Sequence, residues 1–211
     1  MKNLLLIVLM FVLIYPCTGQ AQDETIYGFH QHDGFYLRFH GGIGSGKMVE
    51  ENILGSDMTL SGMSNVFRIQ IGGTISTNLI LFGEMGAFVM SDPELEWGTN
   101  SGTMENVDMS ISDIGAGLSY YFMPSNIYLS GTVVLSRNKI ELKDLSRSAS
   151  TEMGYGFYFS VGKEWWVSSE WGLGVAGFGY YSQTTDKDES SQNEYTVKNT
   201  VFGVVFSATY H

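Results

Sequence analysis

The segment 201–211, VFGVVFSATYH, constrains the fold more than any other part of the chain, because its side chains alternate with period two. One parity holds Phe202, Val204, Phe206, Ala208 and Tyr210. The other parity is small or weakly polar. A β-strand sends successive side chains to opposite faces, so one face of this segment is continuously apolar. Pairing this segment with the first strand of the chain would close a barrel and leave no edge exposed.

The same alternation recurs along the chain and predicts eight strands in all. They span residues 34–45, 65–73, 79–90, 109–122, 127–138, 154–166, 171–181 and 201–211. Short turns alternate with long polar loops at 46–63, 91–106, 139–150 and 182–194. An even number of strands of about ten residues, with short turns at one end and long loops at the other, is typical of outer-membrane barrels. We therefore predict an all-β fold, an eight-stranded antiparallel up-and-down transmembrane β-barrel with short periplasmic turns and long extracellular loops.

The N-terminal segment predicts a cleaved signal peptide. Lys2 gives it a basic start, residues 4–15 are apolar, and cleavage is expected after either Gly19 or Ala21. The apolar run is shorter than the about 20 residues that a membrane-spanning helix needs. The predicted organisation is a signal peptide at 1–21, a polar periplasmic lead-in at 22–33 and the barrel at 34–211.

The composition argues against several classes of function. The formal net charge of −11 disfavours a nucleic-acid partner, which requires clustered Lys and Arg. The only cysteine, Cys17, lies in the leader, so no disulfide or thiolate chemistry is expected in the mature chain. We expect no cofactor and no enzymatic activity. Catalysis on lipid acyl chains would need a lipid-facing His near the outer rim. The histidines that follow the leader lie elsewhere: His30, His32, His40 and His211.

Three features indicate that the apolar parity faces lipid. The polar parity is rich in Gly, Ser and Thr, which suits a narrow lumen, whereas a solvated exterior is usually dense in Lys and Glu. Most charges lie in loops or on the polar parity; Lys163 is the exception and could snorkel to the interface. Aromatic residues lie near strand ends, as in the girdles of membrane barrels. The predicted girdle consists of Phe35, Tyr120, Phe122, Trp165, Trp166, Trp171, Tyr181 and Tyr210.

Charged residues also fall on the inward parity: Arg38, Arg68, Glu84, Asp113 and Glu164. An eight-stranded barrel is only wide enough for side chains to fill, so we predict that these residues meet as ion pairs in a plugged lumen. Pairing is expected because an isolated buried charge is very costly. The alternative is a polar track for a proton or a small solute.

Together these features resemble the small eight-stranded outer-membrane barrels of Gram-negative bacteria, the OmpA-, OmpX- and OmpW-like group. The resemblance covers nearly all of 34–211 and rests on the signal peptide, the amphipathic strands and the aromatic Tyr210. It implies contact with outer-membrane lipid and lipopolysaccharide. It also implies that the insertion machinery recognises the last strand, in which His211 follows the aromatic residue. Members of the group serve as membrane anchors, as adhesion or defence surfaces, or as paths for small apolar compounds.

Two motif-like patterns are interpreted as structural. The segment 41–47, GGIGSGK, matches most of a phosphate-binding loop, but Met48 replaces the Ser or Thr that would hold magnesium. We interpret this segment as a glycine-rich strand end. His30, His32 and His40 could be taken for a metal cluster, but two of them lie in the polar lead-in. We expect no bound metal.

The long loops are rich in carboxylates. They include Asp92, Glu94, Glu96 and Glu105 in the second loop and Asp186, Asp188, Glu189 and Glu194 in the fourth. Solvated loops are often acidic, and this is the simpler interpretation. A sharper hypothesis is that these carboxylates share divalent cations with lipopolysaccharide phosphates.

We predict a non-enzymatic outer-membrane barrel with a structural or surface-interaction role through its extracellular loops; the sequence does not identify the extracellular partner. Two alternatives stay open. One is an OmpW-like conduit or binding pocket for small apolar molecules, which a lateral opening or an apolar lumen would favour. The other is a soluble periplasmic lipocalin-like carrier, in which the apolar parity would face inward.

Overall fold

The computed structural model describes residues 32, 34–53, 56–187 and 194–211. The predicted signal peptide at 1–21 lies outside the described residues, and so does the lead-in at 22–33 apart from His32. Other predictions that fall outside them concern Cys17, His30, Asp188, Glu189 and the side chain of Asp186. Within the described ranges, no helix is long and apolar enough to cross a membrane.

The described residues form eleven strands and a short 3-10 helix at Lys143–Leu145. The strands are β1 (Phe35–Ile53), β2 (Ser56–Ser76), β3 (Leu79–Ser91), β4 (Glu94–Trp97), β5 (Asn100–Thr103), β6 (Val107–Phe122), β7 (Ile127–Leu142), β8 (Arg147–Ser150), β9 (Gly154–Trp166), β10 (Trp171–Lys187) and β11 (Glu194–Tyr210).

Eight long strands form a closed antiparallel ring. Its order is β1, β2, β3, β6, β7, β9, β10 and β11, and β1 pairs with both β2 and β11. At the seam, Leu37 lies opposite Tyr210 and Glu50 lies opposite Val197. The predicted eight-stranded antiparallel up-and-down barrel is confirmed.

The strands at the long-loop end extend further than the sequence predicted. The predicted loop 46–63 is wrong, because β1 and β2 continue through it and pair as far as Ile53 and Ser56. The predicted loop 182–194 is also too long, because β10 continues to Lys187 and β11 begins at Glu194. The outward side chains of these extensions are largely polar, which made the alternation hard to recognise.

The two remaining long loops contain short strands. Residues 91–106 hold the hairpin of β4 and β5, and β4 also pairs with the far end of β2. In 139–150, β7 continues to Leu142, and β8 then folds back on it. At the opposite end, Asn78 and Asn126 occupy the left-handed region in two short turns, with φ of 61° and 53°. Asn tolerates this conformation better than most residues.

The outer face of the ring carries an apolar belt. Exposed large side chains on the eight long strands include Phe39, Ile43, Phe67, Ile71, Leu81, Met85, Ile114, Leu118, Leu129, Val133, Phe157, Phe159, Leu173, Phe202 and Phe206. Phe206 is 70% exposed. Soluble monomers rarely expose a continuous apolar surface of this kind. The large apolar side chains therefore point outward, opposite to what a lipocalin-like carrier requires.

Candidate functional site

The interior holds two clusters of buried charge at the level of the apolar belt. In the first cluster, the Arg68 guanidinium group lies between two carboxylates. Arg68 Nη2 donates to Glu84 Oε1 at 2.5 Å, and Arg68 donates to both oxygens of Asp113 at 2.6 and 3.1 Å. The rings of Tyr158 and Phe88 lie 4.0 and 5.4 Å from the guanidinium carbon. The cation is thus both paired and covered by aromatic rings.

The second cluster lies nearer the short-turn end. Arg38 Nη2 is 2.9 Å from Glu164 Oε1, and Arg38 Nε donates to Thr209 Oγ1 at 3.1 Å. Arg38 also contacts the Tyr121 hydroxyl group, which donates to Glu164 Oε2 at 2.9 Å. The Tyr128 ring lies 3.9 Å from the guanidinium carbon. Both members of the ion pair are fully buried.

A glutamine and a tyrosine connect the two clusters. The Tyr36 hydroxyl group donates to Gln70 Oε1 at 2.7 Å, and Gln70 Nε2 donates to Glu84. The Tyr36 ring lies 5.2 Å from the Arg38 guanidinium carbon. Hydrogen bonds therefore run from Asp113 to Tyr36, and the contact between the Tyr36 ring and the Arg38 guanidinium group continues the network to the second cluster.

The structure brings the five inward charges predicted from the sequence into these two groups. Sequence reasoning did not assign Tyr36, Gln70 and Tyr121 to the network, although their parity places them inside. Paired charges and rings fill this part of the lumen. The arrangement ties the strands together.

Gly86 allows the first cluster to form. It lies opposite Arg68 in the register of β2 and β3. A Cβ at this position would lie 2.4 Å from the Arg68 guanidinium atoms. Any larger residue must therefore shift the Arg68 guanidinium group from its present position.

The short-turn mouth is closed by His32 and by the last residue of the chain. The His32 ring stacks on Tyr121 with ring centroids 3.7 Å apart. Its Nδ1 lies 3.0 Å from His211 Nδ1, and its Nε2 lies 2.9 Å from Asn126 Oδ1. His211 Nε2 in turn lies 3.4 Å from Glu164 Oε2. The mouth is thereby joined to the second cluster.

Trp166 departs from the predicted aromatic girdle. It shares the inward parity of Glu164, and its ring lies 5.3 Å from His32 and 5.1 Å from His211. It therefore closes the mouth instead of facing lipid. Its position near a strand end led to the girdle assignment, but the parity of β9 decides its direction.

The other girdle residues lie on the outer face. Exposed aromatic residues at the short-turn end are Phe35, Tyr120, Phe122 and Trp171, and Tyr181 is exposed towards the other end. Tyr210 lies between Phe35 and Trp171, with ring centroids 6.2 and 5.5 Å away. Trp165 is half-buried, and Lys163 Nζ lies 5.8 Å from its ring centroid.

The remaining motif-like patterns are explained by the strands. Segment 41–47 lies inside β1 and is paired on both sides; Gly44, for example, lies opposite Gly203 and Ser64. Its backbone N–H groups therefore cannot wrap around a phosphate. His40 is buried in the lumen, where its Nε2 lies 3.5 Å from the Tyr128 hydroxyl oxygen. Among the described residues, no group of three His, Cys, Asp or Glu side chains could hold a metal ion.

The lumen becomes apolar towards the long-loop end. Buried residues there include Met48, Leu60, Met90, Met109, Ile111, Val197 and Val201. A polar contact persists on one wall, where Asn199 Nδ2 donates to Asn138 Oδ1 and to Ser182 Oγ, both at 3.0 Å. Sequence reasoning missed much of this apolar half because it placed Met48 and Leu60 in a loop.

The strand pairing of the wall changes at this end, but residues 151 and 152 still bridge β7 and β10. The Thr151 N–H group donates to Asn138 O at 3.0 Å, and the Glu152 N–H group donates to Thr185 O at 2.9 Å. Strand β9 begins at Gly154, whereas its neighbours continue to Leu142 in β7 and Lys187 in β10. The extension of β7 pairs with β8 instead. A cavity of about 30 Å³ lies here, lined by Met48, Glu50, Asn138, Ile140, 149–151 and Val197. It has room for about one water molecule.

A small sheet of β1, β2, β4 and β5 protrudes above the belt. Met58 lies opposite Trp97 between β2 and β4, and Glu94 lies opposite Thr103 between β4 and β5. In the described part of the chain, β5 is the edge strand, and all four of its residues are exposed. The hairpin also carries the exposed carboxylates of Glu94 and Glu96.

Comparison with solved structures assigns the fold. The crystal structure of Neisserial surface protein A matches with a TM-score of 0.51 and 15% identity, covering 84% of this chain and 97% of that one. The outer membrane protein OprG from Pseudomonas aeruginosa also matches with a TM-score of 0.51, at 12% identity, covering 85% of this chain and 98% of that one. The chain has the fold of a small outer-membrane β-barrel. The resemblance predicted from the sequence is thus confirmed for the fold.

No protein-family model matches the sequence, and no curated protein matches it. At such low sequence identity, the solved structures establish the fold of this barrel and not its function.

Proposed function

We propose that the protein is an integral outer-membrane barrel with a plugged lumen, which acts without catalysis by presenting its protruding end outside the cell. The observation that carries the proposal is the combination of an apolar outer belt with a lumen filled by paired charges. An eight-stranded ring encloses little more than its own side chains. A channel would need to break the Arg38–Glu164 and Arg68–Glu84 pairs, which are fully buried.

The protruding edge strand is the part best suited to contact a partner. An exposed edge presents unpaired backbone groups that can accept an extended segment as a further strand. β5 is exposed along its whole length and contains no charged residue or proline, which are two of the usual protections of an edge. Glu94 and Glu96 next to it favour a segment that carries Lys or Arg.

The orientation can be tested by chemical labelling of intact cells. The predicted mature chain has no cysteine, so Thr99→Cys in the β4–β5 hairpin and Ser125→Cys in a short turn can serve as unique labels. A membrane-impermeant maleimide should label Thr99→Cys on intact cells and Ser125→Cys only after the outer membrane is opened. Labelling of both, or of Ser125→Cys alone, would contradict the proposal.

Surface contact can be tested with an edge variant. Ser101→Pro removes a backbone donor from β5, whereas Ser168→Pro changes an exposed turn at the opposite end. The probe is a library of extended Lys- and Arg-containing peptides presented to the folded barrel. If Ser101→Pro reduces the amount of peptide captured and Ser168→Pro does not, the result supports the β5 edge as the binding site. Equal capture by both variants, or none by the native protein, would contradict it.

A second candidate function is binding of small apolar molecules in the long-loop half of the lumen. One observation favours it, the apolar lining that includes Met48, Met90 and Met109. Methionine side chains adapt readily to an apolar guest. The test is the binding of an environment-sensitive fluorophore to the folded barrel. Met90→Glu should abolish this binding if the pocket is the site, whereas Met85→Gln on the outer face should leave the binding intact.

The lipid partners follow from the membrane location that we propose. We expect the apolar belt to contact outer-membrane acyl chains and Tyr210, at the end of β11, to take part in recognition by the insertion machinery. Cation sharing between the loop carboxylates and lipopolysaccharide stays a prediction. If such sharing occurs, replacing Glu94, Glu96 and Glu105 by Gln should make the outer membrane less sensitive to chelators.

A further inference from the structure

Lys163 is a cation on the outer face of the barrel, near the short-turn end of β9. It shares the outward parity of Phe159 and Val161, which are exposed. Its register partners on the neighbouring strands are Ile127 of β7 and Val175 of β10, and both are apolar and half-buried. Only 8% of the Lys163 surface is exposed. The carbon chain of this lysine is therefore packed among apolar side chains at the edge of the belt.

The Lys163 ammonium group forms no ion pair with any Asp or Glu in the described part of the chain. Glu164, the next residue along the chain, faces the lumen and pairs with Arg38 at 2.9 Å. The turn 123–126, which leads into the strand beside Lys163, contains no charged residue. A cation among apolar side chains is costly when it has no counter-charge. A counter-charge supplied by the surroundings of the barrel would remove this cost.

The side chain of Lys163 runs towards the short-turn rim. Its Nζ atom lies 5.8 Å from the centroid of the Trp165 ring, and Trp165 is the last but one residue of β9. Trp171 begins β10 at the same end and is exposed. Indole rings and the ends of lysine side chains concentrate at the level of lipid headgroups. In a membrane that covers the apolar belt, the ammonium group therefore lies at this level.

We propose that Lys163 and Trp165 form a binding site for the phosphate group of a glycerophospholipid, whose acyl chains lie along β9 beside Val161 and Phe159. The phosphate is the anion that every glycerophospholipid carries at headgroup level, and its oxygens accept charge-assisted hydrogen bonds from an ammonium group. A lipid fits this site better than free phosphate does, because the side chains around the ammonium group are apolar. The site rests on the membrane location in the proposed function and lies at the opposite end from the proposed surface contact.

Native mass spectrometry of the folded barrel measures the lipid that each variant retains. We would refold the protein in a non-ionic detergent without phosphate and add either phosphatidylglycerol or a diacylglycerol with the same acyl chains. Lys163→Met keeps an apolar side chain and removes the charge. It should retain phosphatidylglycerol about fivefold more weakly than the native protein, the effect of one lysine at an anionic lipid surface. Diacylglycerol should be retained equally by both.

Two further variants separate charge at this position from charge elsewhere. Lys163→Arg keeps the cation and should retain phosphatidylglycerol as the native protein does. Lys139→Met is the matched control, because Lys139 already pairs with Glu141 at 2.8 Å; it should leave lipid retention unchanged. Inorganic phosphate added at the same concentration as the lipid should not displace it.

Three results would overturn the site: equal retention of phosphatidylglycerol by Lys163→Met and the native protein, an equal loss in the Lys139→Met control, or displacement of the lipid by inorganic phosphate. If Lys163→Met does not fold, solid-state NMR of the native protein in phosphatidylglycerol vesicles decides the question. Direct contact between the Lys163 ammonium nitrogen and lipid phosphorus supports the site, and lack of contact contradicts it. A native barrel that shifts on heating in SDS gels but fails these tests loses only the lipid site, whereas a protein without the heat shift contradicts the proposed function itself.

Discussion

Arg38 on β1 and Glu164 on β9 lie 2.9 Å apart inside the barrel, although β11 and β10 separate their strands in the ring. The pair thus connects parts of the wall that share no backbone hydrogen bonds. Arg68 on β2 likewise pairs with Asp113 on β6 across the intervening β3, and it also pairs with Glu84 on the neighbouring β3. Because every member of these pairs is buried, loss of one partner leaves an uncompensated charge.

The first prediction concerns the removal of one buried charge. Arg38→Met should lower the free energy of unfolding by about 3–5 kcal/mol, because Glu164 then lies buried without its cation. Urea-induced unfolding from lipid vesicles measures the loss. The control is Lys139→Met, which breaks an exposed ion pair with Glu141 and should cost less than about 1 kcal/mol.

A double variant separates charge from packing. Arg38→Met combined with Glu164→Gln removes both charges, so much of the lost stability should return. Equal stability of Arg38→Met and the Lys139→Met control would contradict the ion-pair account. The account would also be contradicted if the double variant loses as much free energy of unfolding as the two single variants together.

The second prediction concerns close approach at a glycine. Gly86→Ala should destabilise the barrel by about 1–3 kcal/mol, because the new methyl group overlaps the Arg68 guanidinium position. Gly131→Ala is the matched control, since a Cβ at this position meets nothing within 4 Å. Unfolding midpoints compare the two variants. Equal effects would show that Arg68 does not occupy the space beside Gly86.

How far the sequence predicted the interior depends on the length of each regular pattern. Arg68 and Glu84 could be placed on the inward parity from the sequence because period-two alternation is unambiguous in the middle of a strand. Met48 and Leu60 were missed because polar outward neighbours made their extensions resemble a loop. Docking of His32 could not be predicted, since its partners Asn126 and His211 are distant in sequence and meet only when the ring closes.

The third prediction concerns the outer belt. Leu118→Arg places a charge in the apolar band and should cost about 2–4 kcal/mol in lipid. Ser110→Arg, nearer the long-loop end of β6, should cost about 0–1 kcal/mol, because the charge can reach water. Refolding yields and unfolding curves in vesicles distinguish them. If Leu118→Arg costs no more stability than Ser110→Arg, the barrel is not embedded in lipid as proposed.

The most direct test of the central claim is the state of the protein in the outer-membrane fraction. We would express the chain with its leader in a Gram-negative host, isolate the outer membranes and run SDS gels with and without boiling. The account predicts a band in this fraction whose mobility shifts on heating, because a closed barrel resists the detergent until heat unfolds it. A soluble periplasmic protein without a heat shift would contradict the account.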